Sequence, residues 1–272
     1  MPVIAHLSDI HLGAHSSRLA ESMLADIVDA QPDLVVVSGD LTQRARPAEF
    51  VQARQLLDAM PASVLVVPGN HDIPLFDLPR RMVSPTQRFE ELISADLDPV
   101  VSVPGIVAVG LDSMPSWRWK AGHVSPRQSS IVVDSFDACP AGSWRIVVTH
   151  HPILPSRLSR LAGRAALVDA CAQAQVAILL SGHTHSPRAD VVPLGPHGAG
   201  PSALAMVAGT AISRRIRGTA NAYGIIELGD SMTDGATIVL RVRAPRRTAW
   251  SDRSTTHFRY SSSGVLADSQ NT

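Results

Sequence analysis

The chain has 272 residues, 45% of them hydrophobic and 18% charged, the profile of a globular protein with room for one large core or two modest ones. Lys+Arg and Asp+Glu both total 24, so no net charge advertises a polyanion, and nucleic acid is not an expected partner. The two cysteines, Cys139 and Cys171, lack CxxC spacing, which argues against a disulfide framework or a thiolate zinc site.

Taken from the start, MPVIAHLSDIH lacks the basic and apolar regions of a secretory signal. No apolar run approaches the roughly 18–20 residues that span a bilayer, so the expectation is a cytoplasmic chain without an integral membrane segment. PVIAHL reads as a first strand. Ser17–Ala30 then spaces Leu19, Met23, Leu24, Ile27 and Val28 along one helical face. DLVVVSG from Asp33 is a second strand, and Ala48–Met60 a second helix with Phe50, Val51, Leu56 and Leu57 as its apolar stripe. Further strands follow in SVLVVPG from Ser63, GIVAVGL from Gly105 and WRIVVTH from Trp144. Arg164–Ala174 is a third helix, and VAILLSG from Val176 the next strand. ALAMVAG from Ala203, YGIIELG from Tyr223 and ATIVLRV from Ala236 succeed one another without clear helices, predicting a more antiparallel portion. Strand–helix alternation predicts an α/β layer architecture, and near-continuous apolarity predicts strands covered on both faces. One domain is expected over 1–243, with 244–272, rich in Arg, Ser and Thr, as a partly flexible tail.

The chemistry lies where the strands stop. PVIAHL runs into Asp9 and His11, and DLVVV into Asp40. SVLVV runs into Asn70, His71 and Asp72, WRIVV into His150 and His151, and VAILL into His183 and His185. In open α/β sheets ligands bind outside the carboxyl ends of the strands, so parallel strands would gather all five clusters on one face. Singly, each has a bland explanation. Asp40 could cap a helix, Asn70-His71-Asp72 could be a turn, and the last two histidines could be a wet strand end. Five in succession point to a metal site. Asp9, His11, Asp40, Asn70, His150, His183 and His185 are too many donors for one ion and suit two that share a carboxylate. Oxygen and nitrogen donors without thiolate suit Mn, Fe, Zn or Ni. Two such ions about 3.5–4 Å apart can clamp a phosphoryl group and supply a hydroxide near neutral pH.

The series SDIHLG, SGDLT, VPGNHD, THHP and SGHTHSP resembles the motif set of the calcineurin-like metallophosphoesterases, and its order is similar to that of their class III cyclic-nucleotide phosphodiesterase branch. The resemblance implies a two-sheet α/β/β/α sandwich with a dimetal site at the strand ends. It implies Asp9, His11 and His185 on one ion, Asn70, His150 and His183 on the other, and Asp40 bridging. Between His150 and His151 the family pattern favours the first. His71 would sit over the scissile phosphate, stabilising transition-state charge or protonating the departing oxygen, with Asp72 fixing its ring. Asn70 would also hold the phosphate.

The implied reaction is phosphodiester hydrolysis by in-line attack of a metal-bridging hydroxide, with 3',5'-cyclic nucleotides as nominal small-molecule substrate. The alternatives are a nucleotide-sugar pyrophosphate or other phosphodiester hydrolase, a manganese-dependent nuclease, or a silent scaffold. His123, in a stretch resembling the family's active-site rim, is a candidate substrate contact. Trp117 and Trp119, flanking Arg118, could stack on a substrate or cap the core. Arg214, Arg215 and Arg217 read as a solvated turn, with phosphate contact as the alternative.

Overall fold

The computed structural model describes the chain apart from residues 118, 154–158, 196–199, 216–217, 244–248, 262–263 and 269–272. Arg118 and Arg217 of the sequence reading therefore lie outside the described residues. The first half contains β1 (Val3–Leu7), α1 (Ser17–Ala30), β2 (Leu34–Val37), α2 (Pro47–Asp58) and β3 (Ser63–Val66). Two short helices follow, α3 (Leu78–Val83) and α4 (Gln87–Leu92), then β4 (Val100–Val103), β5 (Ile106–Leu111), β6 (Gly122–His123) and α5 (Pro126–Asp137). Next come β7 (Trp144–Thr149), β8 (Leu161–Ala162), α6 (Arg164–Gln173), β9 (Ile178–Ser181), β10 (Arg188–Pro193) and β11 (Ser202–Val207). The chain closes with β12 (Asn221–Leu228), β13 (Ala236–Arg243), β14 (Ser251–Ser261) and β15 (Gly264–Asp268).

Two sheets carry the fold, in the orders β15-β14-β13-β12-β1-β2-β3 and β10-β11-β9-β7-β5-β4. Within them β1, β2 and β3 run parallel, as do β5, β7, β9 and β11. The antiparallel portion expected after Ala203 is mixed at its first strand, since β11 pairs antiparallel with β10 and parallel with β9, and is a full meander from β12 onward. Part of the segment expected as a tail is β14, which pairs with all but the last residue of β13.

Side-chain alternation divides the core into layers. Ile4, Leu34 and Val36 from one sheet meet Ile146, Val148, Ile178 and Leu180 from the other. Ala5, Leu7, Val35 and Val37 point the opposite way, against Leu19, Met23 and Ile27 of α1 and Phe50 and Leu57 of α2. On the far side Val107, Val109 and Val147 pack on Val132 and Phe136 of α5 and Leu167 of α6. The result is an α/β/β/α sandwich. Local signals set the helix starts: Ser125 and Gln128 form a capping box on α5, and Pro47 opens α2 with the Glu49 carboxylate accepting the Arg46 amide at 3.3 Å.

His6 alternates with Ile4 on the inter-sheet side of β1. It is fully buried, with Nε2 3.0 Å from Ser38 Oγ, and burial pulls its pKa down to about 3.

Candidate metal centre

β1, β2 and β3 of one sheet and β7 and β9 of the other deliver their carboxyl-terminal loops to one place. One ligand atom each from Asp9, His11, Asp40 and His185 lies within 4.8 Å of the others, and all four residues are buried. His185 Nε2 is 3.0 Å from Asp9 Oδ1, and His11 Nε2 lies 3.4 Å from His185 Nε2. A second group adjoins the first. His183 Nδ1 is 2.9 Å from Asn70 Oδ1 and 3.3 Å from His150 Nε2, which is itself 3.2 Å from Asn70 Oδ1.

Asp40 faces both groups. Its Oδ2 is 3.7 Å from His11 Nε2, and its Oδ1 is 3.5 Å from His150 Nε2. The same Oδ1 accepts the His71 amide at 2.8 Å, which fixes the carboxylate between the two sets.

The backbone around these donors is unusual. Among the described residues only eight non-glycines have positive φ, and five of them are Asp9, His11, Asp40, His183 and His185. Left-handed backbone costs an L-residue about 1–2 kcal/mol, so the turns after β1, β2 and β9 are held in conformations that local preference resists. The loops reach one another because glycines stand at the crossings. A Cβ on Gly69 would lie 2.2 Å from Asp40 Oδ1, and one on Gly182 would lie 1.8 Å from Ser8 Oγ.

The electrostatics fit cations. Burial alone would raise the Asp9 and Asp40 carboxyls, but surrounding imidazoles more than offset it and hold both below the usual range. Burial pulls His11 and His183 down to about 4, so neutral imidazoles face ionised carboxylates. Those are the protonation states that ligate metal. The two buried carboxylates still demand positive charge: against its own burial, His150 is raised by Asp40 and Asp9. Asp9 Oδ1 is buried with the His185 Nε2 beside it at 3.0 Å, while Oδ2 accepts the His183 amide at 3.0 Å. His150 donates Nδ1–H to the Ser38 carbonyl at 2.8 Å, leaving Nε2 aimed at the cluster, as metal-binding histidines are commonly oriented.

The neighbouring histidine is placed differently. His151 has Nδ1 2.9 Å from Ser113 Oγ and Nε2 3.0 Å from the Lys120 carbonyl, so neither ring nitrogen is left for an ion.

Asp72 does not orient the His71 ring. Its carboxylate accepts the Leu41, Thr42 and Gly69 amides at 3.1, 2.8 and 2.9 Å and the Thr42 hydroxyl at 2.9 Å, tying the loop after β2 to the loop after β3. The His71 ring is instead oriented by Gln43, whose carbonyl accepts Nδ1–H at 2.8 Å. Nothing in the motif pattern marked Gln43, because a main-chain acceptor leaves no residue-type signature. Burial and the Asp40 charge push Asp72 up to about 6. Trp117 and Trp119 do not cap the core: they are 64% and 53% exposed, with the Arg81 guanidinium 4.8 Å from the Trp119 ring centroid. His123 sits beside Trp117, ring centroids 5.8 Å apart, and has no hydrogen bond to the cluster among the described residues.

The family model described as calcineurin-like phosphoesterase matches residues 2–187. The chain belongs to this family. A Rhodococcus erythropolis protein named as a probable cyclic nucleotide phosphodiesterase is 29% identical over 203 residues, 67% of this chain and 64% of that one. A cAMP/cGMP dual specificity phosphodiesterase of Mycobacterium tuberculosis is 28% identical over 204 residues, 67% of this chain and 61% of that one. This chain thus spans less than two thirds of the length of either. A glycerophosphodiester phosphodiesterase of Enterobacter lignolyticus is 38% identical over 81 residues, 26% of this chain and 29% of that one. The solved structure of a purple acid phosphatase from yellow lupin shares the fold, with a TM-score of 0.67 at 10% identity, covering 89% of this chain and 51% of that one. No helix among the described residues is long and apolar enough to cross a membrane.

Proposed function

We propose that the chain hydrolyses phosphodiesters at a centre of two divalent cations, with Asp9, His11 and His185 holding one, Asn70, His150 and His183 the other, and Asp40 shared. The observation that carries this reading is the Asp40 carboxylate, whose two oxygens face imidazoles of separate donor sets, His11 on one side and His150 on the other. Bound together, such ions polarise a phosphoryl group and lower the pKa of a water.

The chain's own residues supply the rest. The Asn70 carboxamide stands at the edge of the cluster and offers N–H donors to a phosphate oxygen. His71, its ring 4.8 Å from that of His11 and anchored through Nδ1–H, stabilises charge on the phosphoryl group or delivers a proton to the departing oxygen. Asp72 holds the two loops that carry Asp40 and Asn70 in register. Water attacks, the phosphorus–oxygen bond to the leaving group breaks, and a phosphomonoester and a free hydroxyl result, on one molecule for a cyclic nucleotide and on two for an acyclic diester.

Two relatives named for cyclic nucleotides support cyclic AMP or cyclic GMP as substrate. The glycerophosphodiester-named relative supports a second reading, an acyclic diester. The test is a panel of cyclic AMP, cyclic GMP, glycerophosphocholine, an aryl diester and an aryl monoester on manganese-reconstituted protein. Turnover of cyclic nucleotides above all others supports the first reading, and turnover of acyclic diesters alone replaces it with the second. Failure on every diester overturns both.

A further inference from the structure

Beside His71 lies a cleft of about 590 Å3, within the size range of small-molecule sites. Its walls include Gln43, Arg44, Arg46, Glu49, Phe76 and Arg215. Three arginines and one glutamate thus line the cleft, and Glu49 is already committed: it is buried, with Oε2 accepting the Arg44 and Arg46 amides at 2.8 and 3.3 Å. Among the described residues none of the three arginines forms a salt bridge, although the chain as a whole is neutral. The Arg44 guanidinium lies 5.8 Å from the centroid of the Phe76 ring, whose 80% exposure leaves an aromatic surface open to the cleft. Arg44 and Arg46 come from the loop between β2 and α2, and Arg215 from the loop between β11 and β12. Segments distant in sequence have therefore placed unpaired positive charge on the His71 side of the metal centre.

We infer that this cleft is a subsite for an anionic group, a carboxylate or phosphate, carried on the leaving-group half of the substrate. The inference rests on the proposed role of His71 at the departing oxygen: whatever leaves next to that ring must occupy the space lined by Arg44, Arg215 and Phe76. Planar guanidinium groups recognise carboxylate and phosphate through paired N–H donors. A 3',5'-cyclic nucleotide bears only the scissile phosphate and would leave the arginines unused. The cleft therefore favours an acyclic diester or pyrophosphate with a second negative charge.

The test uses three methyl aryl phosphodiesters whose aryl leaving group carries a carboxylate, a phosphonate or, as the neutral match, a carboxamide. The manganese-loaded enzyme should prefer the anionic members. Arg44→Ala and Arg215→Ala should each lower the ratio of kcat/KM, anionic over carboxamide, by about tenfold. The double replacement by Glu should invert the preference, and Arg54→Ala, from a surface pair on α2, should leave the ratio unchanged. The carboxylate and phosphonate arms distinguish the two anion sources. No preference in the native enzyme, or ratios that ignore Arg44 and Arg215, would overturn the subsite. If none of the three is hydrolysed, the hydrolase reading is judged by the substrate panel above and not by these compounds. Calorimetric binding of the phosphonate diester to native protein and to the double variant then decides the cleft by itself.

Discussion

At His183 the left-handed backbone makes an unusual substitution preference. Its φ is 69°, and its half-buried ring meets Asn70 and His150. His183→Ala and His183→Gly both remove those contacts, so comparing them in chelator-treated protein isolates the main chain. A Cβ in this conformation costs about 1–2 kcal/mol. Ala recovers about 0.4–1 kcal/mol because its unfolded chain has less freedom to lose. The balance favours Gly by roughly 0.5–1 kcal/mol, a melting temperature about 1–4 °C higher for the Gly variant. At Glu21, on the exposed side of α1, the same pair should order oppositely, with Ala ahead by about 1 kcal/mol. Urea titration or calorimetry at one fixed pH gives both differences. Equal stability at His183, or Ala ahead at both positions, would refute the claim that the ligand turns are held against local preference.

Three further outcomes are expected. Asp40→Ala should abolish binding of both ions, whereas His71→Ala should retain them and lower kcat by roughly 10²–10⁴, with metal content read by elemental analysis. His150→Gln should lose about one ion per chain and His151→Gln none, because both His151 nitrogens are bonded to Ser113 and Lys120. His6 should make the protein acid-sensitive. Its unfolded form takes a proton as pH falls through 6.5, while the folded form stays neutral to about 3, so stability is lost on acidification across that window. The slope attributable to His6 approaches about 1.4 kcal/mol per pH unit, and in His6→Asn the measured pH dependence should flatten by that amount whatever the variant's absolute stability.

The nine strands announced by aliphatic runs all form, because a strand buried on both faces must be apolar throughout. Helix α1 matches its predicted span residue for residue, and α2 and α6 match theirs to within two residues. The elements missed are those whose residues face water on one side. β4 and β10 are sheet edges, and α3 and α4 are single turns or little more. α5 carries an apolar stripe interrupted by serines, and β14 and β15 lie in a segment whose Arg, Ser and Thr content resembled a tail. At the centre, side-chain donors were legible because carboxylates and imidazoles at strand ends are conspicuous. The acceptors that aim them were not. His150, His11 and His71 are oriented by the carbonyls of Ser38, Thr42 and Gln43, and any residue could provide those. Asp72 looked like a partner for its neighbour and turned out to gather amides from two loops. Arg44 and Arg215 are 171 positions apart, a pairing that only the folded chain reveals.

Each donor set draws on both sheets. Asp9, His11 and Asp40 come from β1 and β2 and meet His185 from beyond β9, while Asn70 from beyond β3 meets His150 and His183 from β7 and β9. Elsewhere the two layers touch mostly through apolar side chains, which resist separation more than sliding, with the Trp144 indole and the Tyr260 hydroxyl donating across to the Gly229 and Ala177 carbonyls. A charged rivet at one end of the sandwich would forbid that shear, joining residues as far apart in the chain as Asp9 and His185. Catalytic alignment and resistance of the two halves to slippage would then share a single origin, and an agent that strips the ions would act on both together.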